Sequence, residues 1–108
     1  MDIEDCATIL PFIPHGSNVL DIGSGAGLPG LVIAINSPTT KVLMSEKNKK
    51  KAYFINKTIQ SLGIKNAEII NAPISKKTKL DEKFNIITAR ALASTRQIVK
   101  LSEHLLIK

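Results

Sequence analysis

Glycines are concentrated in one short segment that follows an aspartate. Asp21–Gly27 reads Asp-Ile-Gly-Ser-Gly-Ala-Gly, and it comes directly after the apolar residues Val19 and Leu20. Glycine has no Cβ, so a loop built from it lets a ligand approach the backbone closely. A glycine loop between a strand and a helix is typical of sites that hold a nucleotide or a nucleotide-like cofactor. The segment therefore indicates a binding site of this kind.

Two cofactors fit this loop differently. Gly25–Gly30 matches the GxGxxG fingerprint of dinucleotide sites, in which the first glycine lies at the end of a strand. Here the predicted strand ends at Ile22, so the glycine in that position is Gly23, and Leu28 stands where the third glycine belongs. Asp21 at the strand tip repels a pyrophosphate but suits the positive amino group of a methionine moiety. The residues favour S-adenosylmethionine over a dinucleotide, with a tight turn that binds nothing as the third alternative.

A second acid, Glu46, follows the next predicted strand. An acidic side chain about twenty residues beyond such a loop accepts hydrogen bonds from ribose hydroxyls. Taken alone, Glu46 fits equally well as a surface charge near lysines; with the loop before it, we predict ribose binding. The two histidines, His15 and His104, are far apart in sequence, and no His/Cys cluster predicts a metal site.

The elements that must position these residues alternate along the chain. The predicted strands are Val19–Ile22, Lys41–Ser45, Ala67–Ile70 and Phe84–Thr88, and the predicted helices are 2–10, Leu31–Asn36, 48–62 and Leu92–Leu106. This alternation indicates an α/β fold, a partial parallel sheet of about four strands with flanking helices. Right-handed crossovers place the first strand centrally and the glycine loop at the carboxyl edge of the sheet.

The helix over 48–62 has the clearest periodicity. Its predicted core-facing residues are Ala52, Ile55, Ile59 and Leu62. Gly63 is predicted to end the helix, because glycine readily adopts the left-handed conformation of a C-terminal cap.

Length and composition indicate one soluble domain. A chain of 108 residues allows a single, partial domain over 1–108, and its 44% hydrophobic and 22% charged content is ordinary. No apolar run approaches the roughly 20 residues of a membrane span. The one cysteine, Cys6, cannot form an internal disulfide, which suits a reducing cytoplasm.

The net charge of +6 raises the question of a nucleic-acid partner. The lysines that contribute much of this excess are Lys47, Lys49, Lys50, Lys51, Lys76, Lys77 and Lys79. Such clusters attract phosphate backbones, and they also occur simply as solvated faces, so charge alone leaves both interpretations open. The aromatic content of 4% predicts no stacking platform for single strands.

Longer motifs connect the chain to a known family. The glycine loop continues into Leu28–Leu31, Glu46 is followed by the pair Lys50–Lys51, and the fourth strand runs into Thr88–Ser94. On these residues the chain resembles the RsmG family, also called GidB, bacterial methyltransferases that modify ring nitrogen 7 of a guanosine in 16S ribosomal RNA. The resemblance spans roughly residues 1–106 and implies a Rossmann-like class I S-adenosylmethionine-dependent methyltransferase fold.

The resemblance also implies a set of cofactor contacts. The predicted contacts are Gly23, Leu28, Ile74, Ser75 and Arg90, in addition to Asp21, Gly25 and Glu46 from the pattern of loop and strands. Ile74 and Ser75 are expected beside the adenine, although the family usually has an acid at the position of Ser75. Arg90 is expected to orient the cofactor and the target base. No catalytic nucleophile or base is predicted, because ring nitrogen 7 carries a lone pair and the sulfonium is already activated.

The implied partner is 16S ribosomal RNA or the small ribosomal subunit, bound through lysines that contact phosphates. We expect a cytoplasmic monomer that needs neither membrane nor metal. The family's domain is expected to continue beyond both ends of this chain, with a fifth strand after Lys108. Two alternatives follow: a truncated, non-catalytic remnant of such an enzyme, and an NAD-dependent oxidoreductase suggested by the offset GxGxxG match.

Overall fold

Four parallel strands and two helices lie within the residues that a computed structural model describes, 16–23, 30–80, 82–89, 100 and 102–107. The strands are β1 (Asn18–Ile22), β2 (Lys41–Ser45), β3 (Ala67–Ile70) and β4 (Ile86–Ala89), and the helices are α1 (Gly30–Asn36) and α2 (Lys49–Leu62). A short 3-10 turn covers Glu103–Leu105. In the described part of the chain, no helix has the length and apolar character needed to cross a membrane.

The sheet has the strand order β3-β2-β1-β4, so β1 is flanked by β2 and β4, as predicted for the strand before the glycine loop. Asp21 of β1 pairs with Met44 on one side and with Thr88 on the other. Because all four strands are parallel, their carboxyl ends meet at the same edge of the sheet. The glycine loop begins at that edge.

Both helices cover one face of the sheet. Successive residues of a strand point to opposite faces, so Val19 and Asp21 face the helices while Leu20 faces away. The core on this helical face consists of Val19, Leu31, Ile33, Ala34, Val42, Met44, Ile55, Ile59 and Ala67. Burial of this apolar surface is what holds α1 and α2 on the sheet, since burying one such side chain contributes about 1.5–3 kcal/mol.

The boundaries of α2 follow from its caps. The side chain of Asn48 accepts the backbone N–H of Lys51 at 3.0 Å and so satisfies a donor in the first turn. Gly63 ends the helix at φ +64°, in the left-handed region, which confirms the predicted cap.

The expectation that Leu62 faces the core was wrong, because its side chain is 62% exposed. After the turn at Gly63, the N–H of Ile64 donates to the carbonyl of Ile59 at 3.0 Å. This turn packs Ile64 against the core of the helical face, which is the hydrophobic contact typical of such a cap.

The second face of the sheet has a smaller core. Leu20, Ile74, Phe84 and Leu105 are buried there. Phe84 was predicted to begin the fourth strand, and this was wrong. Its N–H donates to the carbonyl of Leu105 and its carbonyl accepts the N–H of Ile107, both at 2.8 Å. The backbone of Phe84 therefore pairs with the segment after the 3-10 turn, and β4 begins two residues later, at Ile86.

Two predicted helices lie largely or wholly outside the residues that the structure describes. The helix over 2–10 lies outside the described residues, and so does most of the helix over Leu92–Leu106. Lys100 and Ser102 are helical as predicted, but Glu103–Leu105 form a 3-10 turn and Leu106 is extended, so the predicted end of this helix at Leu106 was wrong.

Candidate cofactor-binding site

The carboxyl ends of β1, β2 and β3 are tied together by hydrogen bonds. The N–H of Gly23 donates to the carbonyl of Ser45 at 2.9 Å, and the N–H of Glu46 donates to the carbonyl of Ile70 at 3.0 Å. The side-chain amide of Asn71 then donates to the carbonyl of Glu46 at 2.9 Å and to that of Lys47 at 3.2 Å. The two predicted site residues Gly23 and Glu46 are thus brought to one edge and held there by backbone geometry.

The space where a side chain of residue 23 would lie is open, because this residue is Gly23. Its φ is +67°, a conformation that residues with a Cβ rarely adopt, and a Cβ built there would have no atom within 4 Å. The backbone at the tip of β1 is therefore accessible to a ligand that approaches from the edge of the sheet.

Glu46 is a buried acid at the tip of β2. It is 7% exposed, and its Oε2 accepts the N–H of Asn48 at 2.8 Å. Asn48 in turn caps α2, so the start of the helix orients this carboxylate. A carboxylate can accept about four hydrogen bonds in all, and the two hydroxyls of a ribose are donors that suit it. The residues present at this edge fit the ribose of an S-adenosyl cofactor.

Asp21 is fully buried and is bonded within the protein. Its Oδ2 accepts the N–H of Gly30 at 3.0 Å, and its Oδ1 accepts the hydroxyl of Thr88 at 2.8 Å. We call these two contacts the Asp21 clasp. The clasp connects the tip of β1 with the first residue of α1 and with β4, on the helical face of the sheet. In this geometry the carboxylate can fix the two ends of the glycine loop relative to each other.

Gly30 is the residue that makes the clasp sterically feasible. A Cβ placed on it would lie 2.7 Å from Cγ of Met44 and 2.8 Å from Oδ2 of Asp21. Real Cβ atoms essentially never come so close to other heavy atoms. Gly30 therefore lets α1 begin in close contact with the sheet. The GxGxxG pattern, in which Gly30 is the last glycine, did not predict this role.

Ile74 and Ser75 lie in the connection after β3. The side chain of Ile74 is 6% exposed and packs in the core of the second face. Ser75 is exposed, and its N–H donates to Oγ1 of Thr78 at 2.8 Å. The backbone N–H that could replace the family's acid at this position is therefore engaged in a local turn. Cofactor contacts at these two residues stay a prediction.

Three predicted contacts, Gly25, Leu28 and Arg90, lie outside the described residues. Arg90 directly follows Ala89 of β4, which pairs with Ile22 at the tip of β1.

Sequence reasoning missed Thr88 and Asn71. Asn71 directly follows β3, so the same rule that selected Glu46, a polar residue just beyond a strand, could have found it. Thr88 needed the register of β4 against β1, which only the structure supplies.

A groove of about 350 Å³ lies along the second face of the sheet, beside Leu43 and Ile70. Asp21, Gly23 and Glu46 do not line it. The groove is thus separate from the edge where the predicted site residues meet. Among the described residues, no group of three or more His, Cys, Asp or Glu side chains could hold a metal ion.

Comparison with known proteins identifies one family. The family model GidB, described as rRNA small subunit methyltransferase G, matches residues 1–108. A protein of Nitrosomonas eutropha named ribosomal RNA small subunit methyltransferase G is 39% identical over 101 residues, which cover 94% of this chain and 46% of that protein. The chain spans about half the length of the curated relatives it matches.

Solved structures share the fold. Coclaurine N-methyltransferase bound to N-methylheliamine and SAH has a TM-score of 0.84 at 18% identity, covering 97% of this chain and 32% of that one. A SAM-dependent methyltransferase of Thiobacillus denitrificans in complex with S-adenosyl-L-homocysteine has a TM-score of 0.83 at 18% identity, covering 99% of this chain and 45% of that one. The fold is therefore the Rossmann-like fold of S-adenosylmethionine-dependent methyltransferases, which confirms the predicted fold class.

Proposed function

We propose, from the premise that this chain belongs to the GidB family of rRNA small subunit methyltransferases, that it transfers a methyl group from S-adenosylmethionine to ring nitrogen 7 of a guanosine in 16S ribosomal RNA. The observation that carries the proposal is the shared edge at which open backbone at Gly23 meets the buried carboxylate of Glu46. Support comes also from relatives of the chain that are named ribosomal RNA small subunit methyltransferase G.

We propose the following division of labour at this edge. Glu46 accepts the hydroxyls of the ribose, and Gly23 with its open space receives the nucleoside close to the backbone. Ile74 and Ser75 lie near the adenine, Leu28 and Gly25 complete the loop, and Arg90 orients the target base. Asp21 acts through the clasp, because its Oδ2 holds the N–H of Gly30 at the far end of the loop and its Oδ1 holds the hydroxyl of Thr88 on β4.

Methyl transfer to this ring nitrogen requires little acid–base catalysis. The cofactor, when bound, supplies a methyl group on an activated sulfonium. The protein therefore contributes mainly by holding the acceptor nitrogen and the cofactor in a fixed orientation, and by stabilising charge through nearby dipoles. The hydrogen bonds of the buried side chains Asp21 and Glu46 hold the groups at this edge in place, as positioning requires.

The proposed partner is 16S ribosomal RNA within the small subunit, and the compartment this implies is the cytoplasm. Support comes from the net charge of +6 and from the exposed Lys47, Lys49, Lys50 and Lys51, which follow Glu46 directly. These lysines lie next to the site edge, where phosphate contacts would bring RNA to the cofactor. We propose that the protein acts as a monomer without a metal ion.

The test is transfer of radioactive methyl groups from S-adenosylmethionine to small subunits from cells that lack this modification. We expect incorporation that appears as 7-methylguanosine after digestion of the RNA. Incorporation at another atom would contradict the proposed position. Cofactor binding in a titration without any transfer would contradict the proposed activity and leave cofactor binding standing.

Binding measurements on the same protein preparation distinguish the two alternatives, a non-catalytic remnant and an NAD-dependent oxidoreductase. A non-catalytic remnant predicts weak binding of S-adenosylhomocysteine or none in calorimetry, so tight binding would count against it. An NAD-dependent oxidoreductase predicts enhanced fluorescence of NADH when the protein is added.

A further inference from the structure

Two aromatic side chains lie exposed on the outward face of α2, between lysines. Lys50, Tyr53, Phe54 and Lys57 have the spacing i, i+3, i+4, i+7, which places them on one face of a helix. Tyr53 is 65% exposed and Phe54 is 63% exposed, and both lysines are exposed as well. We call these four residues the aromatic stripe.

Stability of the described fold does not account for the stripe. The helix is held on the sheet by Ala52, Ile55 and Ile59, which lie on its opposite face. Two neighbouring aromatic rings that are exposed to water contribute little burial energy to the fold. Contiguous exposed apolar surface with a polar rim is typical of a contact site.

The charges around the stripe select the kind of partner. The helix contains no Asp or Glu, and its first three residues, Lys49–Lys51, are all lysines. Positive charge at a helix N-terminus is unfavourable, because the helix dipole is positive there as well. The lysines therefore cost some stability, and the surface they create attracts a polyanion.

Tyr53 combines an exposed aromatic ring with a neighbouring positive charge. The Nζ of Lys57 lies over its ring, 5.6 Å from the centroid, which puts a positive charge on one face of an exposed aromatic side chain. Bases stack on aromatic side chains, while lysines contact the phosphates between them. A partner protein would need acidic groups at several positions around the rings, whereas a nucleic-acid strand offers bases and phosphates as a regular repeat.

The aromatic content of 4% predicted no stacking platform for single strands, yet two of the four aromatic residues of the chain lie side by side on this helix. We infer that the aromatic stripe is a stacking surface for unpaired bases of an RNA strand whose phosphates are bound by Lys57 and the lysines of the first turn. The inference rests on the proposed function, since it gives that function's RNA partner a docking surface. The stripe begins near the site, because Asn48, which caps α2, also donates its N–H to Glu46. RNA on the stripe therefore runs past the edge where the cofactor is proposed to bind.

The chain offers a direct probe of this contact. It contains one tyrosine and no tryptophan, so its tyrosine fluorescence reports on Tyr53 alone. We expect that titration with a single-stranded oligouridylate quenches this emission, since a base stacked on the ring is a contact quencher. Inorganic polyphosphate, which offers charges without bases, should bind the lysines and leave the emission nearly unchanged. Oligouridylate that binds, as seen in its own anisotropy, without quenching Tyr53 overturns the inference.

Variants test the energetic contribution. Replacing both rings, Tyr53→Ala with Phe54→Ala, should raise the Kd for labelled oligouridylate about 5-fold or more, the loss expected for one stacked base. The matched control is Leu62→Ala on the same helix, where the side chain is 62% exposed but lies off the stripe. The conservative pair Tyr53→Phe with Phe54→Tyr should keep the affinity. Lys57→Ala should lower the slope of log Kd against log salt by about 0.7.

Other occupants give different results. If the double alanine variant converts a dimer into a monomer in sedimentation without changing RNA affinity, the stripe is an interface between copies of this chain and the inference fails. Calorimetry with S-adenosylhomocysteine tests the proposed function separately. If the cofactor binds but oligouridylate does not quench Tyr53, the stacking surface is wrong and the proposed function stands. If oligouridylate quenches Tyr53 but the cofactor does not bind, the proposed function fails and the stacking surface stands.

Discussion

Asp21 and Glu46 are both buried acids at the same edge of the sheet, yet their contacts differ in kind. Asp21 bonds to Gly30 and Thr88, groups on two other elements. Glu46 bonds to Asn48, two residues away along the chain. The contacts of Asp21 join distant parts of the fold, and the contact of Glu46 fixes its side chain locally at the tip of β2. We therefore expect replacement of Asp21 to affect mainly stability and replacement of Glu46 to affect mainly cofactor affinity.

The Glu46→Gln variant tests the ribose contact. The amide keeps one acceptor but loses the charge, and a hydrogen bond to a charged group contributes about 1.5–3 kcal/mol. We expect S-adenosylhomocysteine to bind about 10-fold more weakly or worse in calorimetry. Glu68→Gln, an exposed acid on β3, is the matched control and should leave the affinity unchanged. Equal affinities for the wild type and Glu46→Gln would remove Glu46 from the site.

The Asp21→Ala variant tests the clasp. It leaves the buried N–H of Gly30 without its acceptor, which costs about 1–3 kcal/mol in the free energy of unfolding. Urea denaturation measures this loss, with Glu82→Ala as an exposed control. Asp21→Asn should lose less, because its amide can accept from Gly30 and donate to Thr88. An asparagine variant as unstable as the alanine variant would mean that charge, and not the two hydrogen bonds, holds the clasp.

At the scale of elements, the strands were predictable because short apolar runs end at polar or turn residues. β2 and β3 were predicted to the residue, and β1 starts one residue earlier than predicted, at Asn18. The position of Glu46 was predictable for the same reason, since parallel strands present their carboxyl ends together. The start of the fourth strand was not, because Phe84 pairs with Leu106, and such a distant bridge leaves no local pattern.

The partners of Asp21 were not predictable either. Thr88 lies 67 residues further along the chain, and the contact depends on the register of β4 against β1. The acid itself stood out in the sequence, and its predicted interaction was with the cofactor. Its proposed role as a residue that positions the loop came from the contacts.

The start of α1 supplies a prediction at this scale. Gly30→Ala should improve helix propensity by less than the roughly 1 kcal/mol of a helix interior, because Gly30 is the first residue of α1. In the protein, the added Cβ meets Met44 and Asp21 at less than 3 Å, and both are fully buried. We expect a net loss of about 1–3 kcal/mol in urea denaturation, as is typical of overpacking. Ser61→Ala, at an exposed position of α2, is the control and should be neutral or slightly stabilising. A Gly30→Ala variant more stable than the wild type would contradict the close approach.

At the scale of the whole molecule, the sheet is covered unevenly. β1 and β2 contain most of the fully buried strand residues, whereas every residue of β4 is only half-buried. Opening free energies usually follow such differences in burial. Amide exchange should accordingly be slowest in β1 and β2 and faster in β4.

Cofactor binding should stabilise the entire chain. A ligand present at 100 times its Kd adds about 2.7 kcal/mol to the free energy of unfolding if it binds only the folded state. We expect S-adenosylhomocysteine to raise the Tm accordingly in thermal denaturation. NADH at the same concentration is the control and should leave the Tm unchanged. A Tm that responds to neither compound would favour the non-catalytic remnant.

The Asp21 clasp also has a thermodynamic consequence. One carboxylate contacts both the first residue of α1 and the strand that leads to Arg90, so we predict a coupling free energy between events at these two places. Coupling of this kind is reciprocal: if occupation of the loop steadies β4, then steadying β4 must tighten occupation of the loop by the same factor. A target base that engages the residues after β4 would thereby raise the affinity for the methyl donor. The two substrates of the proposed reaction would then promote each other's binding through a single buried side chain.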